Sequence, residues 1–281
     1  MMSTTFAPPS VTVLGSVNID TVLTVARFPA PGETVIATSR VDQLGGKGAN
    51  QAAAAARLGA ATIMVGAVGD DAHGGFARRV LSSAGVDPRH LQLAQAPTGS
   101  AAITVDDDGE NQIVVHSGAN EHLTLPSELP DSDVLLCQLE IRSALVEQAV
   151  EAARGFVCIN AAPAVRLHVD AFRRADLIVV NSLEWEALPE LVECDTVIVT
   201  EGESGASLHR RGTLVERVPA VRADVVNTVG AGDAYTAAVT LGIAGGLPAV
   251  EAMRVAASVG AFAVSVPESQ PPLGRWADYA S

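Results

Sequence analysis

Short apolar runs closed by glycine open the chain. Val11–Leu14 is apolar at every position and stops at Gly15, which predicts a buried strand. Residues 21–25 and 33–41 alternate more loosely around Phe28-Pro29-Ala30-Pro31-Gly32, which predicts a β-ribbon. An Ala-rich helix follows over 49–58, stopped by Gly59, then a strand over 62–68 and a helix over 74–83. Residues 101–105 and 112–116 flank Asp106-Asp107-Asp108-Gly109, and a DG turn between apolar runs predicts a hairpin. Ribbon and hairpin together predict one small sheet outside the main core.

Beyond Ser132 the alternation becomes regular. Strands are predicted over 134–139, 156–160, 177–181 and 196–200, with helices over 143–153, 167–174 and 182–188 between them. Strands alternating with helices imply an α/β fold with parallel pairing and right-handed crossovers. Residues 213–218 predict an antiparallel hairpin at one edge, and helices over 233–244 and 248–264 close the chain. The chain shows no internal repeat and no low-complexity linker. One domain is expected over 11–281, after a flexible N-terminus at 1–10.

Composition narrows the function. The 281 residues are 48% apolar and 18% charged, enough apolar surface for a sizeable core. The net charge of −14 excludes a phosphate-backbone binder, and no basic patch is present for anionic lipid. No apolar run reaches the roughly 18 residues of a membrane helix, and the first ten residues carry neither Lys nor Arg nor an apolar signal segment. Cys137, Cys158 and Cys194 fit neither a disulfide framework nor a zinc spacing. They predict structural thiols in the cytoplasm.

Polar residues gather where the predicted strands stop: Asn18, Asp20, Glu140, Asn160, Asn181 and Glu201. Ligands of open parallel sheets bind beyond the carboxyl ends of the strands. One such residue reads as a helix cap. Six of one chemistry on one edge suit a polyhydroxylated ligand, since carboxylates and amides answer hydroxyls. Asn227–Asp233 (NTVGAGD) opens a helix through Gly230 and Gly232. Unpaired N–H groups and the dipole there can hold negative charge built up during group transfer. Asp233 could take a proton from a hydroxyl, or simply complement the dipole. Gly45–Asn50 (GGKGAN) is a second glycine-rich turn. It lacks the Walker A pattern, and Gln51 stands where a dinucleotide fingerprint needs its third Gly, which argues against a nicotinamide dehydrogenase.

These pieces together resemble the PfkB (ribokinase-like) family of carbohydrate kinases, from about Val11 to Pro272. Gly15–Asp20 (GSVNID) and Pro31–Thr34 (PGET) look like the family's opening. Residues 44–53 (LGGKGANQAA) match its first signature and Thr228–Asp233 (TVGAGD) its second. Asn18-x-Asp20, Gln138-Leu139-Glu140, Gly118-Ala-Asn120 and the 160–164 stretch look closest to its ribokinase branch. The resemblance implies a three-layer α/β/α sandwich with a mainly parallel sheet and a small β-lid, formed by about 20–44 and 98–117. It implies transfer of the ATP γ-phosphate, with Mg²⁺, to a sugar hydroxyl, D-ribose first among sugars. Asp233 matches the family's catalytic base, and Gly230, Ala231 and Gly232 its anion hole. Asn18, Asp20, Gly46, Lys47, Asn50 and Glu140 match sugar contacts. Asn181 and Glu184 match the motif that organises phosphates and Mg²⁺ through water. Thr200, Glu201, Gly202 and Gly205 match the nucleotide loop. A homodimer through the lid is also implied.

The chain departs from that pattern at one place. Ribokinases are commonly activated by K⁺ beside the anion hole, and the usual aspartate of the D-T-x-x-G-D pattern is Asn227 here. Glu268 stands where Gly is usual and Pro272 where Ser is common. K⁺ activation is therefore expected to be weak or absent, with Glu268 as a second route to the missing charge. The alternatives to ribose are another pentose, a ketose, a nucleoside, or sugar binding without turnover.

Overall fold

The central strands of the main sheet are buried on both sides, and the structure shows why. The computed structural model describes residues 6–280. Parallel strands β1 (Val11–Leu14), β4 (Thr62–Gly69), β9 (Val134–Gln138), β10 (Phe156–Asn160), β11 (Leu177–Asn181) and β12 (Val197–Thr200) form its centre. Side chains alternate between two cores. Val13, Met64, Leu136 and Cys158 face one, while Leu14, Val65, Cys137 and Ile159 face the other. A period of two buried on both sides reads as a continuous apolar run.

Helices α1 (Lys47–Leu58), α2 (Ala72–Ser83), α6 (Ala231–Ala244) and α7 (Ala249–Val264) cover the first face. Helices α3 (Ser143–Ala152), α4 (Val169–Arg174) and α5 (Ser182–Ala187) cover the second. The result is the expected three-layer α/β/α sandwich. The sheet runs β14-β13-β12-β11-β10-β9-β1-β4-β5, where β13 (Ala206–Arg210) and β14 (Thr213–Val218) are antiparallel additions at one edge. At the other edge β5 (Val86–Asp87) and β6 (Leu91–Ala94) both pair with β4, and neither was signalled by the sequence.

The small sheet also forms, in the order β3-β2-β7-β8. Its hairpin, β7 (Gly99–Val105) and β8 (Asn111–His116), lies where the DG turn predicts it. Its ribbon does not. The strands are β2 (Asn18–Thr24) and β3 (Ser39–Gly45), so the expected strand over 33–41 is displaced toward the C-terminus. Pairing of Asn18 with Gly45 and of Thr24 with Ser39 exhausts β2, so residues 33–38 have no partner strand. The expected loose N-terminus is fastened where it is described. Phe6 packs on Trp276 with ring centroids 4.5 Å apart, and Ser10 donates through its N–H and hydroxyl to Asp133. Residues 1–5 lie outside the described residues. No helix among the described residues is long and apolar enough to cross a membrane.

Candidate active site

The entry to α6 is a tight turn. Gly230 has φ of +80°, and a Cβ there would lie 1.9 Å from the Ser269 carbonyl oxygen. No other residue fits both constraints. The space beside Gly232 is open, so its backbone faces the cleft. Gly232 and Asp233 occupy the first turn, where helical N–H groups have no intrahelical partner.

Asp233 is buried, and amides from α1 hold both its oxygens. Asn50 donates from Nδ2 to Oδ2 at 3.0 Å, and Gln51 from Nε2 to Oδ1 at 2.9 Å. The run Ala52–Ala56 makes this reach possible, because small side chains let α1 sit close to α6. A cleft of about 210 Å³ opens in front of Asp233, lined also by Lys47, Asn160, Asn181, Glu184, Thr200 and Thr228.

Lys47 begins α1, where the dipole disfavours a cation. Burial pulls its ammonium down, but Asp233, Glu140 and Glu184 outweigh that and raise it. It stays charged and points positive charge at the same cleft as the α6 dipole. Glu140 acts across the strands as a cap for α1. Its Oε2 accepts from the Lys47 N–H at 2.9 Å and from the Ser16 hydroxyl.

Asp20 is buried, its carboxylate makes no hydrogen bond to any described residue, and it lies directly over Gly45. Burial first, then the charges of Glu140 and Asp233, push its carboxyl up to about 6. Asn18 accepts from Asn120 Nδ2 at 2.8 Å, and Asn120 Oδ1 accepts from the Val17 N–H at 2.9 Å. Asn18 and Asp20 belong to the start of β2 rather than to the loop after β1, where the sequence reading put them.

Asn181 and Glu184 form a reciprocal capping box on α5, at 2.9 and 2.8 Å. Burial raises the Glu184 carboxyl, against the N–H of Asn181 and the charge of Lys47. No group of three or more His, Cys, Asp or Glu could hold a metal among the described residues. Two carboxylates, Glu184 and Asp233, line the cleft, and one or two carboxylates with waters and substrate phosphates are the donors Mg²⁺ takes.

Other predicted residues lie elsewhere. Of the nucleotide-loop residues only Thr200 lines the cleft. Glu201 is bound by the Ser207 hydroxyl at 2.8 Å and by Arg217, while Gly202 and Gly205 bracket the following turn with φ of +58° and +97°. Asn227 donates to the Pro267 carbonyl at 2.8 Å and accepts from the Val229 N–H at 3.0 Å, so its amide knits two loops. Glu268 is exposed, and its charge acts on Arg57. Gln51 and Asn120 lie in motifs the sequence shows, LGGKGANQAA and Gly118-Ala-Asn120, but neither motif gave them a role.

Comparison with known proteins gives this geometry a lineage. A ribokinase of Haemophilus influenzae is 34% identical over 253 residues, 80% of this chain and 82% of that one. A deoxyribokinase of Salmonella typhi is 32% identical, with 80% and 82% covered. The structure of Arabidopsis thaliana ribokinase complexed with ribose and ATP superposes with a TM-score of 0.86 at 28% identity, covering 97% of each chain. Residues 8–275 match the pfkB family carbohydrate kinases, and the chain belongs to that family.

Proposed function

We propose that this chain transfers the γ-phosphate of ATP to the 5-hydroxyl of D-ribose. One observation carries the reading: a buried carboxylate, Asp233, stands on the first turn of α6, faces a polar cleft, and is held only by amide donors. A carboxylate so placed can accept the hydroxyl proton as the phosphoryl group transfers. The N–H groups of the 230–233 turn, with Lys47, face the negative charge that develops on the phosphoryl oxygens. Asn18, Asp20, Gly46, Lys47, Asn50 and Glu140 form the sugar side. Asn181, Thr200, Glu201, Gly202 and Gly205 form the nucleotide side. Glu184 would hold Mg²⁺ through water, and the ion would neutralise phosphate charge.

The likeness to a complex with ribose and ATP supports both small molecules, and the deoxyribokinase relative makes 2-deoxyribose the second acceptor to test. Residues 11–281 act as one kinase domain whose small sheet is the lid. The three free, buried cysteines fit a reducing, cytoplasmic setting. The Asn227 amide bridges the loops that a cation would otherwise join, so turnover needs no K⁺. The test is ADP release from Mg²⁺-ATP with ribose, 2-deoxyribose, fructose or adenosine. Ribose-dependent release supports the reading. Release with another sugar alone overturns the substrate, and a ribose-induced rise in Tm without release overturns the kinase.

A further inference from the structure

Behind Asp233 lies a network of buried amides that ties α1 to β9 and β10. Gln51 donates from Nε2 both to Asp233 Oδ1 at 2.9 Å and to Asn160 Oδ1 at 2.8 Å. Its Oε1 accepts from Gln138 Nε2 at 2.6 Å. Asn160 in turn donates from Nδ2 to the Val179 carbonyl at 3.0 Å. Gln51 and Gln138 are each 0% exposed, so neither can touch a ligand in the cleft.

The polarity of this network is forced. A carboxylate and a backbone carbonyl can only accept. The Val179 carbonyl therefore fixes Asn160 with its NH₂ outward and its oxygen toward Gln51. Asn160 and Asp233 then both demand the NH₂ of Gln51. That leaves Gln51 Oε1 in need of a donor, which Gln138 supplies. The one atom left over is Gln138 Oε1, a buried acceptor with no partner, packed where a Cβ on Gly15 would fall. An unpaired buried acceptor costs stability. An apolar side chain at 138 would avoid that cost only by leaving Gln51 Oε1 unpaired instead, so the role of Gln138 lies in its donor.

We propose that Gln51 is a positioning residue for Asp233 and that Gln138 fixes which end of its amide faces the carboxylate. The inference rests on the reading of Asp233 as the base. Donors on both oxygens, Asn50 on one and Gln51 on the other, stop the carboxylate turning about its last torsion. The charged groups facing Asp233 are Lys47 on α1, Asp20 on β2 and Glu184 on α5. The variants below leave all three in place.

The test is steady-state kinetics of ribose phosphorylation by the full chain and four variants, with Tm measured alongside. Gln51→Met keeps the side-chain length and removes the donor. Its kcat should fall about ten- to hundredfold, the scale of one hydrogen bond to a charge, while KM for sugar and ATP moves less than about threefold. Gln138→Met removes one unpaired acceptor but takes the donor from Gln51 Oε1, so Tm should change little while kcat falls. The carboxyl introduced by Gln51→Glu donates to Asp233 only when protonated, so its deficit against wild type should widen as pH rises from 6 to 8.5. Wild-type kcat in Gln51→Met and Gln138→Met, with Asp233→Asn inactive, overturns the inference and spares the base. An Asp233→Asn variant as active as wild type, or a wild type without turnover, overturns both. A KM rise without a kcat fall in Gln51→Met, or a Gln51→Glu deficit that ignores pH, also overturns it.

Discussion

Asp20 shows at the residue scale how binding and stability pull apart. Its carboxyl is 7% exposed, lacks a donor from the described protein, and is pushed by burial and by Glu140 and Asp233 up to about 6 from an ordinary 3.8. The folded value exceeds the unfolded one. Between these values the folded chain holds a proton that the unfolded chain has lost, so the group's contribution to stability is lost as pH rises through about 6. Asp20→Asn should therefore raise Tm at pH 7.5, by a change equivalent to at most about 3 kcal/mol, and leave it unchanged near pH 4. The same variant should weaken sugar binding in a titration, since it replaces an acceptor of sugar hydroxyls. A lower Tm at pH 7.5 would show that the charge is paired. The acidic and glycine-rich positions were legible because their residue types match the chemistry. Gln51 and Gln138 were not. Gln51 meets Asp233 across 182 residues of sequence, and only the packing of α1 on α6 reveals which way its amide points.

At the element scale the entry to α6 joins sequence to site most directly. Its two glycines were legible, but the work of Asn227 was not. The sequence marks a missing carboxylate, whereas the structure shows an amide tying Pro267 to the turn. The account predicts ribose-dependent turnover that differs less than about twofold between K⁺, Na⁺ and choline salts, at one ionic strength so that screening is equal. Strong dependence on K⁺ would mean that a cation still completes the turn. The ribbon strand was misplaced for a related reason. Residues 34–38 carry β-forming side chains, yet Ile36 is 88% exposed, because no neighbouring strand continues past Thr24 to pair with them. Local propensity cannot see the length of its partner.

At the scale of the whole molecule, the regular alternation beyond Ser132 was enough to predict an α/β fold with parallel pairing, while the three layers came only from the family resemblance. The small sheet was legible as a sheet but not in how it meets solvent. Every residue of β8 is exposed, including Ile113, Val114 and Val115, and β8 is an edge strand. An exposed apolar edge calls for a cover, and we propose a second copy of the chain as that cover. Sedimentation should show a dimer, and Val114→Lys should shift it toward monomer. A monomeric wild type would leave the lid to work alone. The central claim concerns Asp233, and the most direct test is phosphorus NMR of ribose incubated with Mg²⁺-ATP and either wild type or Asp233→Asn. The account predicts a phosphate resonance on the ribose 5-position from wild type. It predicts a rate about 10²- to 10⁴-fold lower from the variant, with sugar binding retained. An Asp233→Asn chain that forms the same product at the wild-type rate would contradict it.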